Sequence, residues 1–170
     1  MPDRPGTVTV IGIAGYGLDN ISPDVEDALG SAQLVIGGRR HLEAFEDWQQ
    51  RRGGAHVRSV TIGSDADDAC RRAAAAAGDG IPVCVLASGD PGFFGIVRAL
   101  LRVVDRRHLI IVPAPSSVSL AFARIGLPWD DATVISAHGR PLADAIGAIR
   151  VSRKVAVLTS PGSPPESVGK

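Results

Sequence analysis

The sequence predicts an α/β fold with a largely parallel sheet. Short runs rich in β-branched residues alternate with amphipathic stretches of helical period. Each apolar run ends in a loop rich in Gly, Ser or Pro, which is typical of strands joined by helical crossovers. The predicted strands are Thr7–Ile13, Gln33–Ile36, Val57–Ile62, Ile81–Ala87, His108–Val112, Ala132–Ser136 and Lys154–Thr159.

The helices between these strands are predicted from their caps and their apolar spacing. Ser22 precedes Pro23, which suits the first helical position, and Asp24 and Glu26 favour the positive end of a helix. Further helices are predicted over Asp65–Ala77, Gly95–Val104 and Val118–Arg124, and another begins near Ser163-Pro164-Pro165-Glu166.

The best domain boundary follows the fifth predicted strand. In Val112-Pro113-Ala114-Pro115 two prolines impose extended geometry directly after the strand. We therefore expect one α/β domain over residues 1–113 and part of a second over residues 114–170. The second holds only two predicted strands, so we expect it to be truncated.

Composition narrows the classes of partner. Eighteen Lys and Arg balance eighteen Asp and Glu, so no global field would attract nucleic acid or an anionic membrane. No stretch approaches the roughly 18 apolar residues of a membrane span, and the N-terminus lacks the layout of a signal peptide. Cys84 lies in an apolar run, so a buried thiol is expected rather than a disulfide. We place the protein in the cytoplasm.

The histidines do not predict a metal site. His41, His56, His108 and His138 lie far apart, and no pair of cysteines accompanies them. We therefore expect no bound metal.

The loop after the first strand, Gly12-Ile13-Ala14-Gly15-Tyr16-Gly17, would let the backbone approach a ligand closely. It lacks the dinucleotide-binding pattern G-x-G-x-x-G, and no G-x-x-x-x-G-K-[ST] phosphate loop occurs in the chain. A tight strand-to-helix turn without a ligand explains this loop equally well when it is taken alone.

The most informative loop is Ser88–Gly95, which follows the most apolar strand. Its small residues expose backbone donors and acceptors, Asp90 offers one carboxylate, and Phe93 and Phe94 supply flat apolar surface. Such a loop suits a flat ligand with polar edges, such as adenosine. The structural alternative, favoured slightly without further context, is a helix N-terminus capped by Asp90 with both phenylalanines in the core.

Hydroxyl and basic side chains follow three other strands. Ser116 and Ser117 begin a helix; one can cap it while the other faces a ligand. Arg39, Arg40 and His41 follow the second strand, and His138-Gly139-Arg140 follows the sixth. Arginine pairs with carboxylates in bidentate fashion, which would suit a polycarboxylate substrate. A solvated charged surface is the commoner explanation for either basic group alone.

Taken in order and spacing, these segments resemble the tetrapyrrole methylase family. The precorrin-6Y methylase branch is indicated, either the stand-alone carbon-5 methylase or the N-terminal half of the fused enzyme. The resemblance runs from about Thr7 to the end of the chain. The segments that carry it are Val35–Leu42, Leu86–Ile96, and the block from Pro113 through Gly126-Leu127-Pro128-Trp129 to Ser136–Arg140.

The resemblance implies two α/β domains with S-adenosylmethionine folded into the cleft between them, and a precorrin as the substrate. The cofactor-binding residues that it implies are Ser88, Gly89, Asp90, Phe93, Gly95, Ser116, Ser117 and Gly139. On charge grounds, Arg39, His41 and Arg140 are the candidates for binding substrate carboxylates. Homodimerisation is implied as well. Carbon-15 methylation and decarboxylation would belong to a partner subunit or a fused C-terminal domain.

Positioning is expected to supply most of the catalysis. A sulfonium methyl group is already electrophilic, and aligning it with a ring carbon can be worth roughly 7 to 11 kcal/mol. His138 is the candidate base for removing a ring proton after transfer, although it could equally serve to orient the substrate. We expect methylation of carbon 5.

Three residues depart from the family pattern: Ala14 replaces a second glycine, Ala137 a larger apolar residue, and Ser160 a frequent aspartate. Two alternatives stay open. The chain could be another methylase of this family, acting on a different corrin carbon or on diphthine, or it could be a truncated binding module without catalysis. The Gly-Gly-x-Arg-His-Leu and His-Gly-Arg segments count against the first alternative.

Overall fold

All seven predicted strands are present in the computed structural model, which describes residues 6–15, 17–63, 65–137, 142–160 and 164–168. Each strand lies within two residues of its predicted bounds. The strands are β1 (Val8–Ile13), β2 (Leu34–Gly37), β3 (Arg58–Thr61), β4 (Val83–Ser88), β5 (Leu109–Val112), β6 (Thr133–Ser136) and β7 (Val155–Leu158). The helices are α1 (Pro23–Ser31), α2 (Arg39–Arg51), α3 (Ala66–Gly78), α4 (Val97–Leu100), α5 (Ser117–Ile125), α6 (Leu142–Val151) and α7 (Pro165–Val168).

The described chain divides into two compact units, with the division between Ser116 and Ser117. The first unit contains a five-stranded parallel sheet in the order β3-β2-β4-β1-β5. The three inner strands are almost wholly buried, whereas β3 and β5, at the two ends of this order, are mostly half-buried or exposed. The predicted α/β class with a parallel sheet is confirmed.

Each face of this sheet carries its own apolar core. On one face, α1 and α2 pack on alternate residues of β1 such as Ile11 and Ile13. On the other face, α3 and α4 pack on Val8 and Val10. The chain moves from β1 through β2 to β3 in one direction along the sheet and returns through β4 to β5 in the other. Right-handed crossovers therefore place the two pairs of helices on opposite faces.

The topology of the sheet predicts a ligand-binding site at the carboxyl end of β4. The chain leaves β1 and β2 toward one face of the sheet and leaves β4, which lies between them, toward the other. Adjacent strands whose connections diverge in this way open a crevice at their carboxyl ends. The topology therefore predicts a ligand crevice among the loops that follow β1, β2 and β4.

The second unit contains β6 and β7 as a parallel pair, with Thr133 opposite Val155 and Ser136 opposite Leu158. The crossover between them is α6. Phe122 of α5 stacks on Trp129, with ring centroids 6.4 Å apart. Lys154, just before β7, is bonded to the segment just before β6. It donates to the carbonyl of Pro128 at 2.9 Å and forms an ion pair with Asp131.

The structure corrects one predicted helix and contains two that were not predicted, α2 and α6. The predicted helix Gly95–Val104 is wrong in its bounds, because the regular part is only Val97–Leu100. The chain then continues through turns in which Arg102 N donates to Ala99 O. The helix α2, Arg39–Arg51, was not predicted. It begins at Arg39 and thereby places the basic cluster on its first turn.

Candidate active site

The loops that follow β1, β4 and β5 are joined by backbone hydrogen bonds. Gly89 N donates to Ile13 O at 2.8 Å, and Ala114 N donates to Gly89 O at 3.2 Å. Gly89 has φ = 61°, a conformation that glycine adopts without strain. A Cβ at Gly12 would lie only 2.0 Å from Gly89 O and 2.6 Å from Ala114 N. Gly12 therefore permits the close approach on which this joint depends.

Ser88, the last residue of β4, contacts the first turn of α2. Arg40 Nη2 donates to Ser88 Oγ at 3.2 Å, and His41 Nε2 lies 3.1 Å from the same oxygen. The contact follows from register, because Gly37 at the end of β2 lies opposite Leu86, two residues before Ser88. The predicted substrate cluster and the predicted cofactor loop are thus neighbours in space.

Gly37 sets how closely His41 approaches the sheet. A Cβ at Gly37 would lie 3.1 Å from Leu86 Cβ and 3.4 Å from His41 Cβ. The imidazole of His41 is half-buried. Burial lowers the pKa of His41 below its ordinary value of 6.5, and the charge of Arg40 lowers it further. Both effects favour the neutral form of the His41 imidazole.

Asp90 organises its own loop. Its Oδ1 accepts from Gly92 N at 2.8 Å, and its carbonyl accepts from Phe93 N at 3.1 Å. These bonds close a turn, since the next helix begins only at Val97. The interpretation of Asp90 as a helix cap is wrong for this reason. Among the described residues, Asp90 Oδ2 has no hydrogen-bond partner.

The two phenylalanines of this loop are not core residues, contrary to the structural alternative. Phe93 is half-buried, and Phe94 is 41% exposed. Their rings meet edge to face with centroids 5.0 Å apart. Phe94 also has φ = 55°, which is uncommon for a residue with a side chain. A backbone outlier at an exposed aromatic residue makes this loop a candidate for a ligand site.

The other predicted site residues fall into three groups. Ser116 is half-buried before α5, and Ser117 is exposed at its first position, which belongs to the second unit. Arg39 is exposed and makes no polar side-chain contact within the described part of the chain. His138, Gly139 and Arg140 lie outside the described residues. Ala137, which precedes them, is fully buried.

Positive charge at this edge of the sheet is not neutralised locally. In the described ranges no carboxylate lies within ion-pair distance of Arg39 or Arg40. By contrast, Arg51 and Arg52 at the other end of α2 pair with Asp19 and Glu26. The carboxyl edge can therefore accept an anionic ligand.

Two broader features bear on the class of site. Among the described residues no group of three or more His, Cys, Asp or Glu side chains is placed to hold a metal ion. No helix in the same part of the chain combines the length and the apolarity needed to cross a membrane.

Arg40 was not predicted as a substrate-binding residue, although the basic group of Arg39, Arg40 and His41 was noted from the sequence. Successive helical residues are rotated by about 100°, so Arg39 and His41 project about 200° apart on α2. His41 lies four residues before the buried Phe45, on the helix face that packs against the sheet. If this segment had been predicted as a helix, Arg39 would have been predicted to project away from β4. The hydrogen bonds that join Ile13 and Ala114 to Gly89 are between backbone atoms, so no side chain in the sequence indicates them.

The chain belongs to the tetrapyrrole (corrin/porphyrin) methylase family, whose family model matches residues 7–168. The fold agrees with that membership. The resemblance inferred from the sequence is confirmed.

Two curated relatives narrow the comparison. The chain is 37% identical over 164 residues to the precorrin-6Y C(5,15)-methyltransferase [decarboxylating] of Sinorhizobium sp, covering 96% of the chain and 38% of that enzyme. It is 30% identical over 163 residues to the cobalt-precorrin-7 C(5)-methyltransferase of Salmonella typhimurium, covering 96% of the chain and 76% of the relative. The chain thus spans well under half the length of the first relative and about three quarters of the second.

Solved structures share the fold. The precorrin-6Y methylase of Archaeoglobus fulgidus superimposes with a TM-score of 0.71 at 23% identity, covering 98% of this chain and 80% of that one. The methyltransferase CobJ gives a TM-score of 0.66 at 24% identity, covering 85% and 62%. At this level of identity the similarity establishes architecture.

Proposed function

We propose that the chain is an S-adenosylmethionine-dependent methyltransferase of corrin biosynthesis, which methylates a ring carbon of a precorrin. The observation that carries this proposal is the joint of the β1, β4 and β5 loops at Gly12, Gly89 and Ala114. One loop cluster there holds tightly packed backbone, the half-buried Phe93, the exposed Phe94, and an Asp90 carboxylate oxygen without a hydrogen-bond partner among the described residues. Membership of a methylase family supports the same conclusion.

The residues present fit S-adenosylmethionine. A Cβ at Gly12 would fall where Gly89 O lies, so the loops after β1 and β4 pack backbone against backbone beside the proposed site. Asp90 Oδ2 can accept from ribose hydroxyls while Oδ1 holds the turn. Phe93 and Phe94 offer flat surface to an adenine ring. The other residues proposed to bind this ligand are Ser88, Gly95, Ser116, Ser117 and Gly139.

The ligand supplies an electrophilic methyl group on a sulfonium. The protein's contribution is to hold the ring carbon and the methyl group in line and to exclude water, which can account for roughly 7 to 11 kcal/mol. His138 is proposed as the base that removes a ring proton, and Arg140 as a contact for substrate carboxylates.

Carbon 5 is the proposed methylation site, because the two relatives described above carry that position in their names. A second candidate is carbon 17. A probable cobalt-factor III C(17)-methyltransferase of Methanothermobacter thermautotrophicus is 27% identical over 156 residues. Locating the transferred methyl group in the product distinguishes the two.

We also propose that the enzyme is a homodimer and that carbon-15 methylation and decarboxylation belong to a region outside this segment. Light scattering tests the first point, and a mass equal to one chain would contradict it. Product analysis tests the second, and carbon-15 methylation by this chain alone would contradict it.

Calorimetric titration with S-adenosylhomocysteine tests the cofactor proposal, with NADH as the control ligand. Asp90→Asn keeps the side-chain oxygen that caps Gly92 N and removes the charge. We expect it to weaken S-adenosylhomocysteine binding about tenfold, because a hydrogen bond to a charged group is replaced by a neutral one.

Asp105 provides a matched control, since its Oδ1 accepts from Arg107 N at 2.9 Å in the same kind of turn, before β5 at the opposite edge of the sheet. Asp105→Asn should leave the affinity unchanged. Binding of NADH, or equal losses in the two variants, would contradict the assignment.

A further inference from the structure

Three polar side chains meet at the carboxyl end of β4. Arg40 Nη2 and His41 Nε2 both lie within hydrogen-bond distance of Ser88 Oγ, at 3.2 Å and 3.1 Å. Two consecutive residues of α2 therefore converge on one hydroxyl of the neighbouring strand.

The chemistry of the three groups fixes the direction of the hydrogen bonds. A guanidinium can only donate, so Ser88 Oγ accepts from Arg40. The positive charge of Arg40 favours an acceptor rather than a second donor at His41 Nε2. We therefore assign the Ser88 hydroxyl as the donor to His41 Nε2, in the tautomer that carries its hydrogen on Nδ1, while Ser88 Oγ accepts from Arg40. The three side chains form one hydrogen-bond network, in which Arg40 donates to Ser88 and Ser88 donates to His41.

These hydrogen bonds leave most of the N–H donors of the Arg40 guanidinium available to another partner. Arginine carries five N–H donors in a planar fork, and Ser88 accepts from one of them. No carboxylate among the described residues pairs with Arg40. A planar fork with its charge uncompensated is the usual partner of a carboxylate, which it binds in bidentate fashion.

We infer that Arg40 binds a carboxylate of the tetrapyrrole substrate, and that Ser88 and His41 are positioning residues that hold its guanidinium at the carboxyl end of β4. This inference rests on the proposed function, since it names a substrate contact of the same site. It replaces Arg39 by Arg40 as the substrate-binding arginine of α2, because within the described residues Arg40 has a hydrogen bond to β4 and Arg39 has none.

Affinity for a tetrapyrrole polycarboxylate tests the inference. The probe is uroporphyrin III, titrated by fluorescence against the wild-type chain and its variants. Arg40→Gln should weaken binding by about tenfold or more, as expected for the loss of a charge-assisted bidentate pair. Arg39→Gln should weaken it by no more than about twofold, since Arg39, unlike Arg40, has no hydrogen bond to β4 within the described residues that would hold its guanidinium in place.

Arg58→Gln controls for the loss of one positive charge, because Arg58 is exposed at the amino end of β3. Equal losses for Arg40→Gln and Arg58→Gln would overturn the inference, and so would a wild-type chain that does not bind uroporphyrin III at all.

Variants of His41 test the positioning role. Gln can accept the Ser88 hydrogen through its amide oxygen, whereas Leu of similar size cannot. We expect His41→Leu to weaken uroporphyrin III binding and His41→Gln to restore most of the loss. If the two variants are equally weak, His41 does not act through its hydrogen bond.

Titration of the same variants with S-adenosylhomocysteine separates this inference from the proposed function. We expect Arg40→Gln to keep binding S-adenosylhomocysteine, with a loss much smaller than its loss of uroporphyrin III affinity, because Arg40 reaches the proposed cofactor site only through Ser88. Failure of the wild-type chain to bind S-adenosylhomocysteine would count against the proposed function. Normal S-adenosylhomocysteine binding together with unchanged uroporphyrin III binding by Arg40→Gln would overturn the inference alone.

Discussion

Replacing Gly12 by Ala should damage the site and the fold together. The new Cβ would lie 2.0 Å from Gly89 O, which is 1.4 Å inside the 3.4 Å at which ordinary contact begins. Both nearest atoms, Gly89 O and Ala114 N, belong to the backbone, so no side chain can rotate away. The loops after β4 and β5 must therefore move.

The cost follows from the bonds at this joint. Overpacking costs roughly 1 to 3 kcal/mol, and two backbone hydrogen bonds contribute about 1 kcal/mol each, so the expected loss is about 3 to 5 kcal/mol. That is a large fraction of the roughly 5 to 15 kcal/mol that stabilises a typical domain. S-adenosylhomocysteine binding should be lost with it.

Urea denaturation and calorimetry measure the two effects. Gly30→Ala is the matched control, since a Cβ there meets nothing within 4 Å and the position is helical. We expect Gly30→Ala to be stabilised by up to about 1 kcal/mol. A Gly12→Ala protein with wild-type urea midpoint and ligand affinity would refute the reasoning about this joint.

Three further results are expected. Because burial and then Arg40 lower the pKa of His41, the stability that its neutral form contributes is present above pH 6.5 and is lost as the pH falls through its lowered folded pKa. Urea midpoints measured downward from pH 7.5 should fall more for wild type than for His41→Gln, and parallel curves would contradict this. Burial raises the pKa of Cys84 to about 12, so Ellman's reagent at pH 8 should modify it only after unfolding; rapid modification of the native protein would contradict its burial. Leu100 is fully buried, so Leu100→Ala should cost about 2 to 5 kcal/mol in urea denaturation, and a loss below 1 kcal/mol would show that α4 is not packed as described.

The strands were predictable because apolar runs are conspicuous in a parallel sheet. Val8–Ile13 and Val83–Ser88 are continuous or nearly continuous apolar sequences, and their burial on both faces explains why no alternation was needed. The helix predicted over Asp65–Ala77 was also locally encoded: Asp65 caps α3, and its side chain accepts from Asp68 N at 3.0 Å.

The helix α2 was not predicted because the many charged residues of this segment obscure the helical spacing of its apolar residues. Leu42, Phe45 and Trp48 recur at a spacing of three and are buried, while most of the rest of the segment is polar. The opposite error occurred after Gly95, where apolar residues suggested a long helix. A Cβ at Gly95 would lie 2.4 Å from Pro91 O, so the loop folds back on itself before α4 begins.

The site was predictable as a set of loops but not as a set of contacts. The Ser88–Gly95 loop was recognisable from its composition, and the resemblance pointed to its role. The contact of Ser88 with Arg40 and His41 depends on the register of β2 against β4, which no local pattern encodes. The exposure of Phe94 likewise follows from a positive φ that its residue type does not predict.

Methyl transfer to a corrin precursor tests the central claim most directly. The chain would be incubated with a precorrin substrate and S-adenosylmethionine labelled with carbon-13 in its methyl group, and the product analysed by NMR. The proposal predicts one labelled methyl group, attached to carbon 5 of the ring. Label at another ring carbon would contradict the proposed position, and the absence of transfer by a chain that binds both ligands would contradict the assignment of methyltransferase activity.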